Sequence, residues 1–296
     1  MLHTLLGGVI LASELTAIAL PIDSVEVYYL THDFASVIRL VEAKEHPPMH
    51  DQLLLGWSYY RLGDMNRSKA AFRSGLEVAP ASLELLNGLA YAHYRLGEAA
   101  DAEAAFRQVL ARSPERVESQ RGLAFVLFTS QRFDECLPMF DSFWRDDTSD
   151  GEAEYHLVKS VDGMLTRWQQ QQKTPAQMVE QAWQFDAQGH RRSAFEMFQW
   201  IVQLEPFHPG ARLGLGTLGP AFGHEAEARA ALESLLRENS KDADARATLS
   251  RLHMQAGRSK EAEKELQRLL AAHPKDPRGE TLRREIAARR AGEAVP

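Results

Sequence analysis

The constraint that most limits how this chain can fold is a repeat. Leu55-Gly56, Tyr59, Gly63, Phe72 and Pro80 are followed by Leu89-Ala90, Tyr94, Gly97, Phe106 and Pro114. The glycine, phenylalanine and proline pairs are each separated by 34 residues. A fixed offset of this size marks a helix-turn-helix array, in which one unit cannot bury its apolar face alone and stacks on its neighbours. Such chains grow along one axis, so a length of 296 residues does not imply two globular domains.

Taken in order, residues 1–19 stand apart from the array. Leu5 to Ala12 is an apolar run, and Ala17-Ile18-Ala19 matches a signal-peptidase site. No Lys or Arg precedes the run, and Glu14 interrupts it. The segment is read as a leader for export to the periplasm, the alternative being an N-terminal helix of a cytoplasmic protein. It is too short in apolar residues for a transmembrane anchor, which needs about 20. Residues 20–48 form a degenerate first hairpin, with Ile22, Val25 and Tyr29 on one helical face, then Phe34, Val37, Ile38 and Val41. Residues 49–150 hold three units starting at 49, 83 and 117. In the third, Gln131 replaces the turn glycine and Pro138 is expected to kink the second helix. Residues 151–174 break the period as one long helix expected to cover the open end of the first block. Residues 175–276 restart it at 175, 209 and 243, behind the helix start Thr174-Pro175-Ala176-Gln177. Residues 277–296 read as a solvating cap.

The pattern resembles the tetratricopeptide repeat (TPR) family. It is carried best by Gln52-x2-Leu55-Gly56-x2-Tyr59, Ser68, Phe72 and Pro80, without the family's tryptophan. The resemblance implies an all-α fold, an α-solenoid in which TPR helix-turn-helix hairpins form a right-handed superhelix. The physical reason for the pattern is independent of the name. One column of the first helix is small in every unit: Gly56, Ala90, Ala124, Ala182, Gly216 and Ser250. So is one column of the second helix: Ser68, Ala102, Cys136, Ala194, Ala228 and Ala262. Helices approach closely only where both lack bulk. Phe72, Phe106, Phe140 and Phe198 then fill the gap between hairpins.

The residues offer no catalytic centre, no metal site and no cofactor site. Cys136 lies in the small column and packs as a small hydrophobe. Gly214-x-Gly216-x-x-Gly219 matches a dinucleotide fingerprint as text but falls within a helix, where that motif needs a preceding strand. Asp146-Asp147-x-x-Asp150 hints at a calcium loop, yet Thr148 and Leu157 stand where ligands are required, so Ser149 or Asp150 is read as a helix cap. His93 and His253 occupy a core column of the first helix and are read as buried. The net charge is -7, with 13 Lys/Arg against 9 Asp/Glu in residues 241–296 and 21 against 32 elsewhere. A surface so acidic argues against nucleic acid as partner.

In the TPR family the inner, concave wall is lined by the first helices. The resemblance therefore implies a groove of Trp57, Tyr60 and Arg61, then Asn87, Tyr91, Tyr94 and Arg95, then Arg121, Phe125 and Phe128. Asn87 and the arginines resemble, in part, the residues with which chaperone-type members hold carboxylates. The rings look surplus to hairpin packing, and an exposed aromatic patch marks a binding surface. The expected function is a non-enzymatic scaffold or adaptor holding a protein or peptide segment. The alternative is a periplasmic accessory of envelope or exopolysaccharide assembly, with a polysaccharide stacked on the same rings. A third reading has the chain's own 151–172 helix or residues 1–20 filling the groove. The register itself is testable by thermal unfolding: Ala102→Leu should cost roughly 1–3 kcal/mol by overpacking, and Phe106→Ala roughly 3–5 kcal/mol. Wild-type melting of both would refute it.

Overall fold

The computed structural model describes residues 24–293, and all the regular structure there is helical. The expected leader at 1–19 and Ile22 lie outside the described residues. Among those described, no helix is long and apolar enough to cross a membrane. The chain divides into two compact units, up to Met139 and from Phe140 onward.

The first unit opens with a short pair, α1 (Val25–Leu30) and α2 (Phe34–Glu42). Two full hairpins follow, α3 (Met49–Leu62) with α4 (Met65–Val78), and α5 (Leu83–Arg95) with α6 (Ala99–Arg112). Next come α7 (Val117–Thr129) and α8 (Phe133–Asp146), whose later turns belong to the second unit. α8 runs on past Pro138. The second unit continues with α9 (Gly151–Gln170), a single helix of 20 residues. The helix expected to close the first block packs on α11, where the Trp200 indole donates to Asp162 at 3.2 Å. Three hairpins complete the unit. They are α10 (Pro175–Ala187) with α11 (Arg191–Leu204), α12 (Pro209–Leu218) with α13 (Glu225–Glu238), and α14 (Ala243–Gln255) with α15 (Ser259–Ala272). Helix α16 (Arg278–Glu293) lies on the last of them.

Local chemistry sets these boundaries. Asp33, Asp64, Ser82, Asp150 and Asp242 each accept from the backbone N–H three residues on, at 2.8–3.3 Å, satisfying a donor the helix start leaves over. Asp150 is thus the cap of α9. Thr174 and Gln177 exchange bonds in a capping box. Five hairpin turns pass through a left-handed glycine, from Gly63 to Gly257, with φ between 71° and 90°. Gln131 takes the same turn at φ 58°, so the missing glycine changes the residue and not the path.

Packing follows the columns. All twelve small-column residues are buried, and the two serines bond across the seam they help to form. Ser68 donates to the Gly56 carbonyl and Ser250 to that of Ala262, both at 2.8 Å. The phenylalanines between hairpins are fully enclosed, for a reason the sequence columns already contain. Gly88, Gly122 and Gly214 stand at one position of the hairpin after Phe72, Phe106 and Phe198. A Cβ on any of them would lie 2.2–2.4 Å from the preceding ring. Each ring therefore sits against bare backbone. Where the wedge is Leu232, the corresponding residue is Thr248. The Gly214-x-Gly216-x-x-Gly219 run is explained in the same way. Gly214 meets Phe198 and Gly216 meets Leu232, and after Leu218 the helix tightens to a 3-10 turn, Gly219–Phe222.

Gly122→Ala should cost about 1–3 kcal/mol, because the Phe106 ring has nowhere to retreat. Adding Phe106→Leu should recover part of that loss, since it recreates the Leu232–Thr248 pairing. Urea unfolding of the two single variants and the double would read this coupling, and strict additivity would refute the wedge.

Candidate binding site

The expected site residues lie on α3, α5 and α7, the first helices of successive hairpins, which run side by side in the first unit. One cluster is contiguous. Trp57 meets Tyr60 edge-on at 5.4 Å between centroids and approaches Tyr91 at 6.1 Å. The Arg95 guanidinium lies over the Tyr60 ring at 5.4 Å. Trp57, Tyr60 and Tyr91 are half-buried, and Arg61 and Arg95 are exposed. Tyr94, Arg121, Phe125 and Phe128 are half-buried as well, with the Phe128 ring against Phe133 at 5.8 Å.

Two expectations are corrected. Asn87 is not a groove residue: it is only 6% exposed, and its Oδ1 accepts a bond from the Ser119 hydroxyl at 2.7 Å. Nor are the rings surplus to hairpin packing. Trp57 packs edge-on against Phe72 at 5.3 Å, and Tyr91 against Phe106 at 5.0 Å. The Tyr91 phenol donates to the Glu118 carbonyl of α7 at 2.6 Å. In the second unit Trp183 meets Phe198 at 4.8 Å in the same way. The chain carries a signal that reveals this pairing. Wherever the wedge is Phe, the paired first-helix residue is aromatic (Trp57, Tyr91, Phe125, Trp183). Where it is Leu232 or Leu266, the residue is Thr217 or Arg251. Trp57, Tyr91 and Trp183 each seal a phenylalanine with one part of the ring and leave the rest to solvent.

The wall has a definite charge. Among the residues expected to face it there are three arginines and no carboxylate. Elsewhere in the unit the structure gathers His93, Glu98 and Asp101, whose ligand atoms lie within 4.8 Å of one another, a grouping the sequence reading missed. It comes with its own cation. The Lys69 ammonium reaches both Glu98 oxygens at 2.7 and 2.9 Å, and His93 Nδ1 also contacts Glu98. Lys69 and then His93 hold the Glu98 carboxyl below its usual range.

Family models described as tetratricopeptide repeat match residues 53–116 and 92–135, and residues 221–286. Solved structures of low identity also match the chain. A thermophilic TPR protein of Thermus thermophilus is 20% identical with a TM-score of 0.31, over 81% of this chain and 98% of that one. A tetratricopeptide repeat protein of Parabacteroides merdae is 14% identical with a TM-score of 0.40, over 90% and 97%. MamA of Desulfovibrio magneticus is 18% identical with a TM-score of 0.38, over 66% and 97%. No curated protein matches the chain.

The two cross-hairpin bonds have separable costs. Tyr91→Phe should lose about 0.5–1.5 kcal/mol, whereas Asn87→Ala should lose about 1–3 kcal/mol because it strands the buried Ser119 hydroxyl. Chemical denaturation at neutral pH checks both, and a wild-type midpoint for Asn87→Ala would refute its structural role.

Proposed function

We propose, from the premise that this chain belongs to the tetratricopeptide repeat superfamily, that it is a non-enzymatic scaffold holding a segment of a protein partner on the α3/α5/α7 wall. The observation that carries this reading is the cluster of Trp57, Tyr60, Tyr91 and Arg95. Its rings are locked from behind by Phe72 and Phe106 and open in front. Rings already held in place lose little freedom when a ligand covers them, so more of the contact energy remains as affinity. Exposed Arg61 and Arg95, with Arg121 on the same wall, favour a segment that carries carboxylates beside its apolar side chains. Arg95 is best placed among them, because its stack on Tyr60 presents the guanidinium alongside the aromatic surface.

A second reading uses the same rings to stack sugars, as an accessory of envelope or exopolysaccharide assembly in the periplasm. It draws on the leader-like residues 1–19. N-terminal sequencing from the native host tests that part, and an intact Met1 on the mature protein overturns it.

The test of the site is direct. Tyr91→Ala/Phe125→Ala and the surface variant Arg61→Glu/Arg95→Glu are compared with wild type on acidic, neutral and basic peptide arrays and on glycan arrays. The arginine variant should keep the wild-type circular dichroism while losing at least tenfold in affinity for acidic peptides. Loss of glycan binding alone would favour the second reading. Unchanged binding of the partner by both variants would remove the site.

A further inference from the structure

The Lys69–Glu98–His93 cluster of the first unit has a counterpart in the second with its charge inverted. The columns that hold Lys69, His93 and Glu98 hold Arg229, His253 and Arg258 on α13, α14 and the turn into α15. In the first unit a carboxylate sits between a cation and an imidazole, and all three are satisfied within the chain. In the second an arginine replaces that carboxylate.

The substitution leaves polar groups without partners. His253 is only 9% exposed, and its Nδ1 is buried with no hydrogen bond. Arg258 Nε is likewise buried and unbonded, and the Arg258 side chain makes no ion pair among the described residues. Arg229 reaches only Glu233, at 3.9 Å. Two acidic groups act on this histidine as well. Glu265 is already held by Arg246 at 2.7 Å and by Arg268 at 2.5 Å, and Glu261 is exposed. Burial, and then the Arg258 charge, push the His253 imidazolium below its ordinary value. Buried donors left unbonded are costly, and costlier still on a charged guanidinium such as that of Arg258. Both costs fall if an oxyanion takes the place that Glu98 fills in the first unit.

We propose that Arg258, His253 and Arg229 form an anion site that binds a carboxylate or phosphate group between them. The guanidinium of Arg258 donates to one oxygen of the bound group, His253 Nδ1–H donates to a second, and Arg229 closes the outer side. The site lies in the second unit, so its failure would leave the reading of the α3/α5/α7 wall untouched.

The test uses the full chain and inorganic phosphate, with acetate and sulfate as parallel arms and chloride at matched ionic strength as the reference. Saturating phosphate should raise the melting temperature of the wild type by about 2–4 °C over chloride. Arg258→Ala should lose that increment. Arg258→Glu, which rebuilds the arrangement of the first unit, should lose it too and should melt in chloride above Arg258→Ala. Retention of acetate's effect with loss of phosphate's would identify a carboxylate ligand, and the reverse a phosphate. A phosphate increment that is equal in the wild type and in both variants would overturn the proposal. So would wild-type His253 Nδ1 and Nε2 resonances that do not move when phosphate is added.

Discussion

The structure depends on a single contact, repeated: a phenylalanine of one hairpin pressed against the bare backbone of the next. Phe72, Phe106 and Phe198 each project beyond their own hairpin, and the residue they meet is a glycine in all three cases. A ring needs this because it is flat, rigid and too long to stop short of the neighbouring helix. Leu232 is shorter and branched, and the corresponding position after it is Thr248. Hairpin-to-hairpin geometry is therefore set by pairs of residues on adjacent units. That is the physical content of a repeat whose stability is a sum of neighbour interfaces.

That dependence explains what the sequence made legible. Columns at a spacing of 34 residues identify which side chains stack, because every unit must present the same small and large positions to its neighbours. The caps Asp150 and Thr174 are legible because the donor each satisfies is a fixed number of residues away. The bond from Ser119 to Asn87 and that from Tyr91 to Glu118 were not. Both run between helices about a full unit apart and depend on side-chain rotamers that periodicity does not encode. The pairing of Trp57 with Phe72 was present in the columns, but it shows only when two columns are read against each other.

Irregular stretches hide more. Within the second unit the Arg192 guanidinium lies 5.3–5.7 Å from the rings of Trp144, Phe195 and Phe222, and bonds Glu154 and Glu196. These residues come from α8, α9, α11 and the 3-10 turn, where the repeat fails at 151–174 and again at Gly219-Pro220. With no period to align them, only the coordinates bring them together. Burial, and with it the neighbouring Glu154, raises the Glu196 carboxyl against the pull of Arg192, so the knot is polar as well as aromatic.

Function then falls where the seam leaves residues free to differ. The wedge phenylalanines, their glycines and the small columns cannot change singly without forcing a neighbour to move. The outward part of the Trp57 and Tyr91 rings is under no such constraint, nor are the turn-side columns that carry Glu98 in one unit and Arg258 in the other. A column that reverses its charge while its hairpins keep the same turn, Gly97 at φ 77° and Gly257 at φ 71°, has been released from the fold. In an array held together by neighbour contacts, such columns are the ones a ligand can use.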